Sequence, residues 1–173
     1  MFHQKDKTKE LIQKIIDKLQ ANKIKIALAE YGTDGSFGNY LKSLNHFSSV
    51  STAIYNIKSE KELASLLGCN TLEKKFLVNE ASALTLSHNL LQKTSSDLAL
   101  GIVFDKDNNY ASFGLTTSSK DTKLLHNYTN SFTVKPAFFD ETLSKITGDD
   151  TSLENNLLDQ LLDKGFQIIS DLL

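Results

Sequence analysis

Between residues 24 and 38 the chain reads Ile-Lys-Ile-Ala-Leu-Ala-Glu-Tyr-Gly-Thr-Asp-Gly-Ser-Phe-Gly, an apolar run that passes straight into a small-residue turn and then a helix. A buried strand delivered directly to a helix is the unit of α/β folds, and the carboxyl end of such a strand is where those folds place ligands. Gly32, Gly35 and Gly38 let backbone come close to a bound group, and the helix that follows presents unpaired N–H donors to an anion. The turn outlines a pocket of Glu30, Tyr31, Gly32, Thr33, Asp34 and Gly35. Thr33 and Ser36 are its hydroxyls besides Tyr31, and no histidine follows at a local spacing that identifies a base. The segment therefore argues for a pocket more strongly than for a reaction.

The 173 residues, 40% of them hydrophobic, suit one globular domain with a sizeable core, so a single domain over 1–173 is expected. Charge is nearly balanced, 19 basic against 21 acidic residues, which leaves no basic footprint for nucleic acid and no polybasic patch for a membrane. Every basic residue is lysine. Without arginine the chain has no planar fork for a bidentate grip on phosphate or carboxylate, so an anion must be held by lysine, backbone N–H or hydroxyls. Cys69 stands alone, which excludes an internal disulfide and a cysteine-based zinc site. The charged start, Met1 to Lys7, holds no signal-peptide apolar core, and no run approaches a membrane span. A cytoplasmic protein with no cofactor is the expectation.

Elements alternate along the chain. Leu11, Ile12, Ile15, Ile16 and Leu19 fall at helical spacing over 8–21, a strand is expected at 23–29, and a short helix follows with Phe37, Tyr40, Leu41 and Leu44 on one face. A strand at 50–57 leads to a helix at 59–67, started by Ser59 with Glu62 in the capping-box position and stopped by Gly68. A longer helix spans 79–93. The continuous apolar run 97–104 reads as a central strand covered on both faces, and the polar cluster 105–109 turns it into a strand at 110–116. A further strand is expected at 129–135 before Pro136, with polar loops at 117–127 and 147–152 and an apolar-striped helix at 152–172. This order predicts an α/β sandwich with a mixed sheet flanked by helices.

Several of these segments carry a resemblance. Ala29-Glu30-Tyr31-Gly32-Thr33-Asp34-Gly35 is similar to the Ala-Glu-Ser-Cys-Thr-Gly-Gly turn of the CinA C-terminal domain family, the nicotinamide mononucleotide deamidase fold. Ser48-Ser49-Val50 and Leu66-Leu67-Gly68-Cys69 resemble that family's Gly-Ser-Ser strand and Leu-Leu-Gly-Val helix end. Val78-Asn79-Glu80-Ala81 is similar to its Ala-Val-Ser-Glu helix start, and Asp97-Leu98-Ala99-Leu100 to its Asp-Leu-Ala-Leu strand. Together they cover about residues 10–172 in the family's order. The resemblance implies a CinA-like fold and a small nucleotide-like ligand. With the long stripe on the last helix, it also implies a homo-oligomer.

The departures from that pattern fall on the site. The family's carboxamide-hydrolysing serine is matched by Tyr31, its cysteine by Gly32 and a glycine by Asp34. A phenol with an unperturbed pKa of about 10 is a poor substitute for an activated serine. The family's tyrosine and lysine, five residues apart, match Lys58 and Leu63 without a gap, or Tyr55 with Lys61 after an insertion. Val103 and Phe104 replace the Thr-Gly after the central strand, the tight turn 105–109 replaces a glycine-rich loop, and the family's arginine would fall at Pro136 to Glu141. The expected function is accordingly a non-catalytic CinA-like module for ligand binding or interaction. The alternative is an amidohydrolase releasing ammonia from a nicotinamide nucleotide or related amide through Thr33, Tyr55, Lys58 or Lys61.

Other candidates reduce to structural roles. Asp105-x-Asp107-x-Asn109 begins like a calcium loop but has Tyr110 and Thr116 where glycine and glutamate are needed, so it reads as a hairpin turn. His3, His46, His88 and His126 lack metal-ligand spacing, and Cys69 reads as a small apolar residue. Glu30 is either a functional polar group or a local cap, and Thr33 either a ligand donor or a helix N-cap; the residues leave both pairs of readings open.

Overall fold

Lys23 adopts a left-handed conformation at φ 57, and this residue decides where the first strand begins. Ile24 N–H donates to the Leu19 carbonyl at 2.9 Å and Lys23 N–H to that of Gln20 at 3.1 Å, the paired bonds that close a helix C-terminus. Residues 22–24 thus finish helix α1 (Phe2–Ala21) and do not open the strand expected at 23–29; β1 runs Ile26–Tyr31 and carries Glu30 and Tyr31 within it. A lysine at the position glycine usually takes hid this boundary.

The computed structural model describes residues 2–68, 78–118, 125–133, 162–167 and 169. After β1 come α2 (Ser36–Lys42), α3 (Phe47–Val50), β2 (Ser51–Ile57), α4 (Glu60–Leu67), α5 (Glu80–Lys93), β3 (Leu98–Asp105), β4 (Tyr110–Ser118) and β5 (Leu125–Thr133). The short α3 was not expected; its Phe47 and Val50 are buried. The strands form one sheet in the order β2-β1-β3-β4-β5, with β1 parallel to β2 and β3, and β4 antiparallel to β3 and β5. This is the expected mixed α/β sheet flanked by helices. β5 starts at 125, inside the polar stretch 117–127 expected as a loop, because it pairs with β4 from Ser118↔Leu125 to Tyr110↔Thr133. Residues 162–167 are helical, with Leu162, Phe166 and Ile169 buried; most of the helix expected at 152–172, and Cys69, lie outside the described residues.

Local chemistry explains the helices. Ser59 accepts from Glu62 N–H at 3.1 Å and Asn79 from Ser82 N–H at 2.8 Å, and Gly68 at φ 79 ends α4. In α1, Ile12, Ile15, Ile16 and Leu19 are buried, whereas Leu11, at the edge of the stripe, is exposed.

The two faces of the sheet differ in side-chain size. Ile26, Leu28, Leu100, Ile102, Phe104, Phe113 and Leu115 pack with α1, α2, α3 and Phe166 on one face. Ala27, Ala29, Ala99 and Val103 pack with α4 and α5 on the other. There Gly101 and Gly114 stand opposite each other across β3 and β4. A Cβ at Gly101 would lie 2.5 Å from the Ala83 carbonyl oxygen, and one at Gly114 2.4 Å from the same atom. The helix backbone therefore rests on bare strand backbone, and Ser87 and Thr116 close the contact with a buried hydroxyl bond of 2.8 Å.

A methyl group at either position has no flexible side chain to displace. Gly114→Ala is expected to cost about 2–3 kcal/mol in urea denaturation. Gly68→Ala, with nothing within 4 Å of its new Cβ but a left-handed φ of 79, should cost only about 1 kcal/mol. Equal losses would contradict the contact.

Candidate functional site

β1, β2 and β3 run parallel, and their carboxyl ends meet at the turn that joins β1 to α2. The chain leaves β1 for β2 on one side and returns from β2 across β1 to β3 on the other, which makes this end of the sheet a topological switch. Gly32 sits at φ 86 with the Phe104 carbonyl where its side chain would be, only 2.0 Å from an ideal Cβ. Gly35, at φ 77, leaves room for Asn56, whose Nδ2 would be 2.7 Å from a Cβ there. Asp34, also at positive φ, forms an ion pair with Lys106 of the β3–β4 turn. The turn is thus laid flat against the ends of its neighbouring strands.

Alternation along β1 sends consecutive residues to opposite faces. Glu30 follows Ile26 and Leu28 onto the large-residue face, where it is completely buried. Its Oε2 accepts from Gly38 N–H at 3.0 Å, so the carboxyl caps the first turn of α2. Its other oxygen, Oε1, and the buried Thr33 hydroxyl have no hydrogen-bond partner among the described residues. Burial pushes the Glu30 carboxyl up to about 7, against the lowering influence of Gly38 N–H, the nearby Thr33 hydroxyl and the Lys42 charge. That hydroxyl lies near enough to act on the carboxyl yet does not close a hydrogen bond with it. Tyr31 follows Ala27 and Ala29 to the opposite face and packs, half-buried, beside the small-residue cluster.

Thr33 is not the N-cap of α2. Gly35 occupies that position without a side-chain bond, and the Thr33 carbonyl accepts from Ser36 N–H at 3.1 Å and Ser36 Oγ at 2.7 Å. Tyr55 is exposed on β2, beside a cavity of about 10 Å³ among Ala29, Leu66, Leu86 and Leu90. Lys58 and Lys61 are exposed; the Lys58 backbone N–H donates to Glu62 at 3.0 Å, extending the α4 cap. The structure gathers Glu30, Thr33, Gly35 and Asp34 around the turn but no hydrogen bond joins them to Tyr55, Lys58 or Lys61 among the described residues. A groove of about 330 Å³ lies at the opposite end of the sheet, between Leu19, Lys23, Lys25 and Ser49.

Asn56 and Lys106 were not legible as partners of the turn. Both reach it through strand pairing, and nothing in their local sequence marks the contact. Asp105 does what the hairpin reading requires, accepting from Asp107 N–H at 3.0 Å and from Asn108 Nδ2 at 2.7 Å. His88 lies within 3.1 Å of Gln92 Nε2, and no cluster of three His, Cys, Asp or Glu residues suited to a metal occurs among the described residues. Nor is any described helix long and apolar enough to cross a membrane.

Comparison with solved structures identifies the architecture. The structure of the competence-damaged protein (CinA) superfamily protein from Escherichia coli superposes with a TM-score of 0.69 at 14% identity, covering 96% of this chain and 90% of that one. The competence damage-inducible protein A from Klebsiella pneumoniae gives 0.69 at 13% identity, covering 95% of each chain. The competence/damage inducible protein from Agrobacterium tumefaciens gives 0.65 at 13%, covering 95% of this chain and 94% of that one. No family model and no curated protein matches the sequence. The fold is CinA-like, shared at low identity.

The two attachments of the turn should differ in strength. Gly32→Ala, which meets backbone and carries a strained φ, is expected to cost more than about 2 kcal/mol. Asp34→Ala or Lys106→Ala, removing a solvent-exposed ion pair, should cost less than about 1 kcal/mol and progressively less with added salt. Thermal unfolding of the three variants checks this ordering.

Proposed function

We propose that this chain is a CinA-like module that works by binding, a non-catalytic counterpart of the nicotinamide mononucleotide deamidases its turn resembles. The observation that carries this reading is the separation of the groups a hydrolase would need. Hydrolysis through an acyl-enzyme requires a nucleophile, a base and oxyanion donors within hydrogen-bond reach of one reacting atom. Here the position matching the family serine holds Tyr31, on the face of the sheet opposite Glu30, while Tyr55 is exposed on β2 and Lys58 and Lys61 are exposed after it. Gly32 and Asp34 hold the turn against the strand ends, which supports a preformed surface for a small nucleotide-like ligand or a protein partner.

One observation favours a second reading, an active amidohydrolase. A carboxyl held at about 7 beside an unpartnered threonine hydroxyl has the composition of a base and a nucleophile. Incubation with nicotinamide mononucleotide separates the two. The binding reading expects no ammonia above the buffer rate, together with a raised melting temperature if the nucleotide is the ligand. Ammonia release that disappears in Thr33→Ala or Lys58→Ala, with the fold intact, would establish the hydrolase.

A further inference from the structure

Glu30 Oε1 and the Thr33 hydroxyl are the two buried side-chain polar atoms that lack partners among the described residues, and they lie three residues apart where β1 passes into the turn. A buried polar atom without a partner is costly, so an adjacent pair must have an arrangement that relieves both. Protonation supplies one: a neutral carboxyl keeps Oε2 on Gly38 N–H and carries no charge into the apolar layer. Ionisation removes it. The carboxylate would then sit fully buried, with one backbone N–H and at best one hydroxyl to stabilise it.

Among the described residues no buried countercharge faces the carboxyl. On β2 the residue opposite Glu30 is Asn56, and on β3 it is Ile102. Within α2 the carboxyl faces Gly38, and the cation that acts on it, Lys42, is exposed in the last turn. Gly38 itself is pressed on Ile54. The nearby charges of Asp34 and Lys106 neutralise each other at the surface.

α2 is seated by its apolar side chains, Phe37 and Leu41, both buried in the core, with Phe37 stacked on Phe166 at 6.0 Å; the turn ahead of it has no such anchor of its own. α2 has only seven residues, and the turn meets the neighbouring hairpin through backbone at Gly32 and through the exposed Asp34–Lys106 pair. We infer that Glu30 and Thr33 form a proton-dependent latch: the neutral carboxyl keeps the turn and the first hydrogen bonds of α2 seated, and the ionised carboxyl loosens them toward water, while Phe37 and Leu41 keep the helix on the sheet. This device holds whether the site binds or hydrolyses.

The sign follows from linkage. The carboxyl titrates near 4.5 when solvated and near 7 when seated, so the seated turn is favoured at low pH. Opening should grow by roughly tenfold per pH unit between about 4.5 and about 7, then level off. Amide hydrogen exchange, corrected for the intrinsic rate at each pH, reads this directly. Protection at Gly38 and Asn39 is expected to fall across that window while β3 stays protected, and to be pH-independent in Glu30→Gln. In Thr33→Val, which lacks the hydroxyl that lowers the carboxyl, the plateau should begin at higher pH. The Thr33→Val result carries the test alone if Glu30→Gln fails to fold. Flat protection in the unmodified chain, or a fall shared equally by β3, would overturn the latch.

Discussion

The close seat of α5 on the paired glycines of β3 and β4 sets the dimensions of this fold. With no Cβ at Gly101 or Gly114, the Ala83 backbone comes nearly into contact with the strands. The small residues Ala27, Ala29 and Ala99 continue that close layer across β1 and β3. The opposite face is then free to hold the large side chains, Phe37, Phe113 and Phe166 among them, in a thicker layer under α1 and α2. Bulky residues on both faces could not give this spacing, because interiors tolerate neither overlap nor voids.

This asymmetry determines what happens at the carboxyl ends of the parallel strands. Glu30 continues the large-residue face and falls beneath α2; Tyr31 continues the small-residue face and falls beside α4 and α5. One residue step separates the two, and it divides the turn's chemistry between two sides of the sheet. The turn is attached to neighbouring strands by backbone contact at Gly32 and by charge at Asp34, and Glu30 holds the helix that follows. The turn therefore carries Glu30 on one face of the sheet and Tyr31 on the other.

Much of this was legible in the sequence because the signals were local. Ser59, Glu62 and Gly68 bounded α4, the apolar run before Asp105 marked the central strand, and the Asp-rich cluster marked its hairpin. The β1 boundary was misplaced because Lys23 takes a left-handed conformation that ordinarily selects glycine. Leu11 sits at the edge of the α1 stripe, one turn before Ile15, and stays exposed. Around the turn, the alternatives for Glu30 and Thr33 could not be separated from spacing alone. The Gly38 amide that Glu30 caps lies eight residues away, and the Lys106 that anchors Asp34 lies 72 away across the sheet. The first contact depends on the path of the turn and the second on strand order, neither of which a local pattern encodes.

The central claim is that a CinA-like fold here retains a binding surface at the β1–α2 turn without amide hydrolysis. The most direct measurement follows protein and ligand together: nitrogen–proton correlation spectra of the chain, with proton spectra of added nicotinamide mononucleotide in the same sample. The account predicts shifts confined to the amides from Tyr31 to Asn39 and to Asn56, with the ligand's carboxamide signals unchanged over time. Conversion of the carboxamide to the acid would contradict it, as would a ligand that leaves those amides unmoved and binds instead at the opposite end of the sheet.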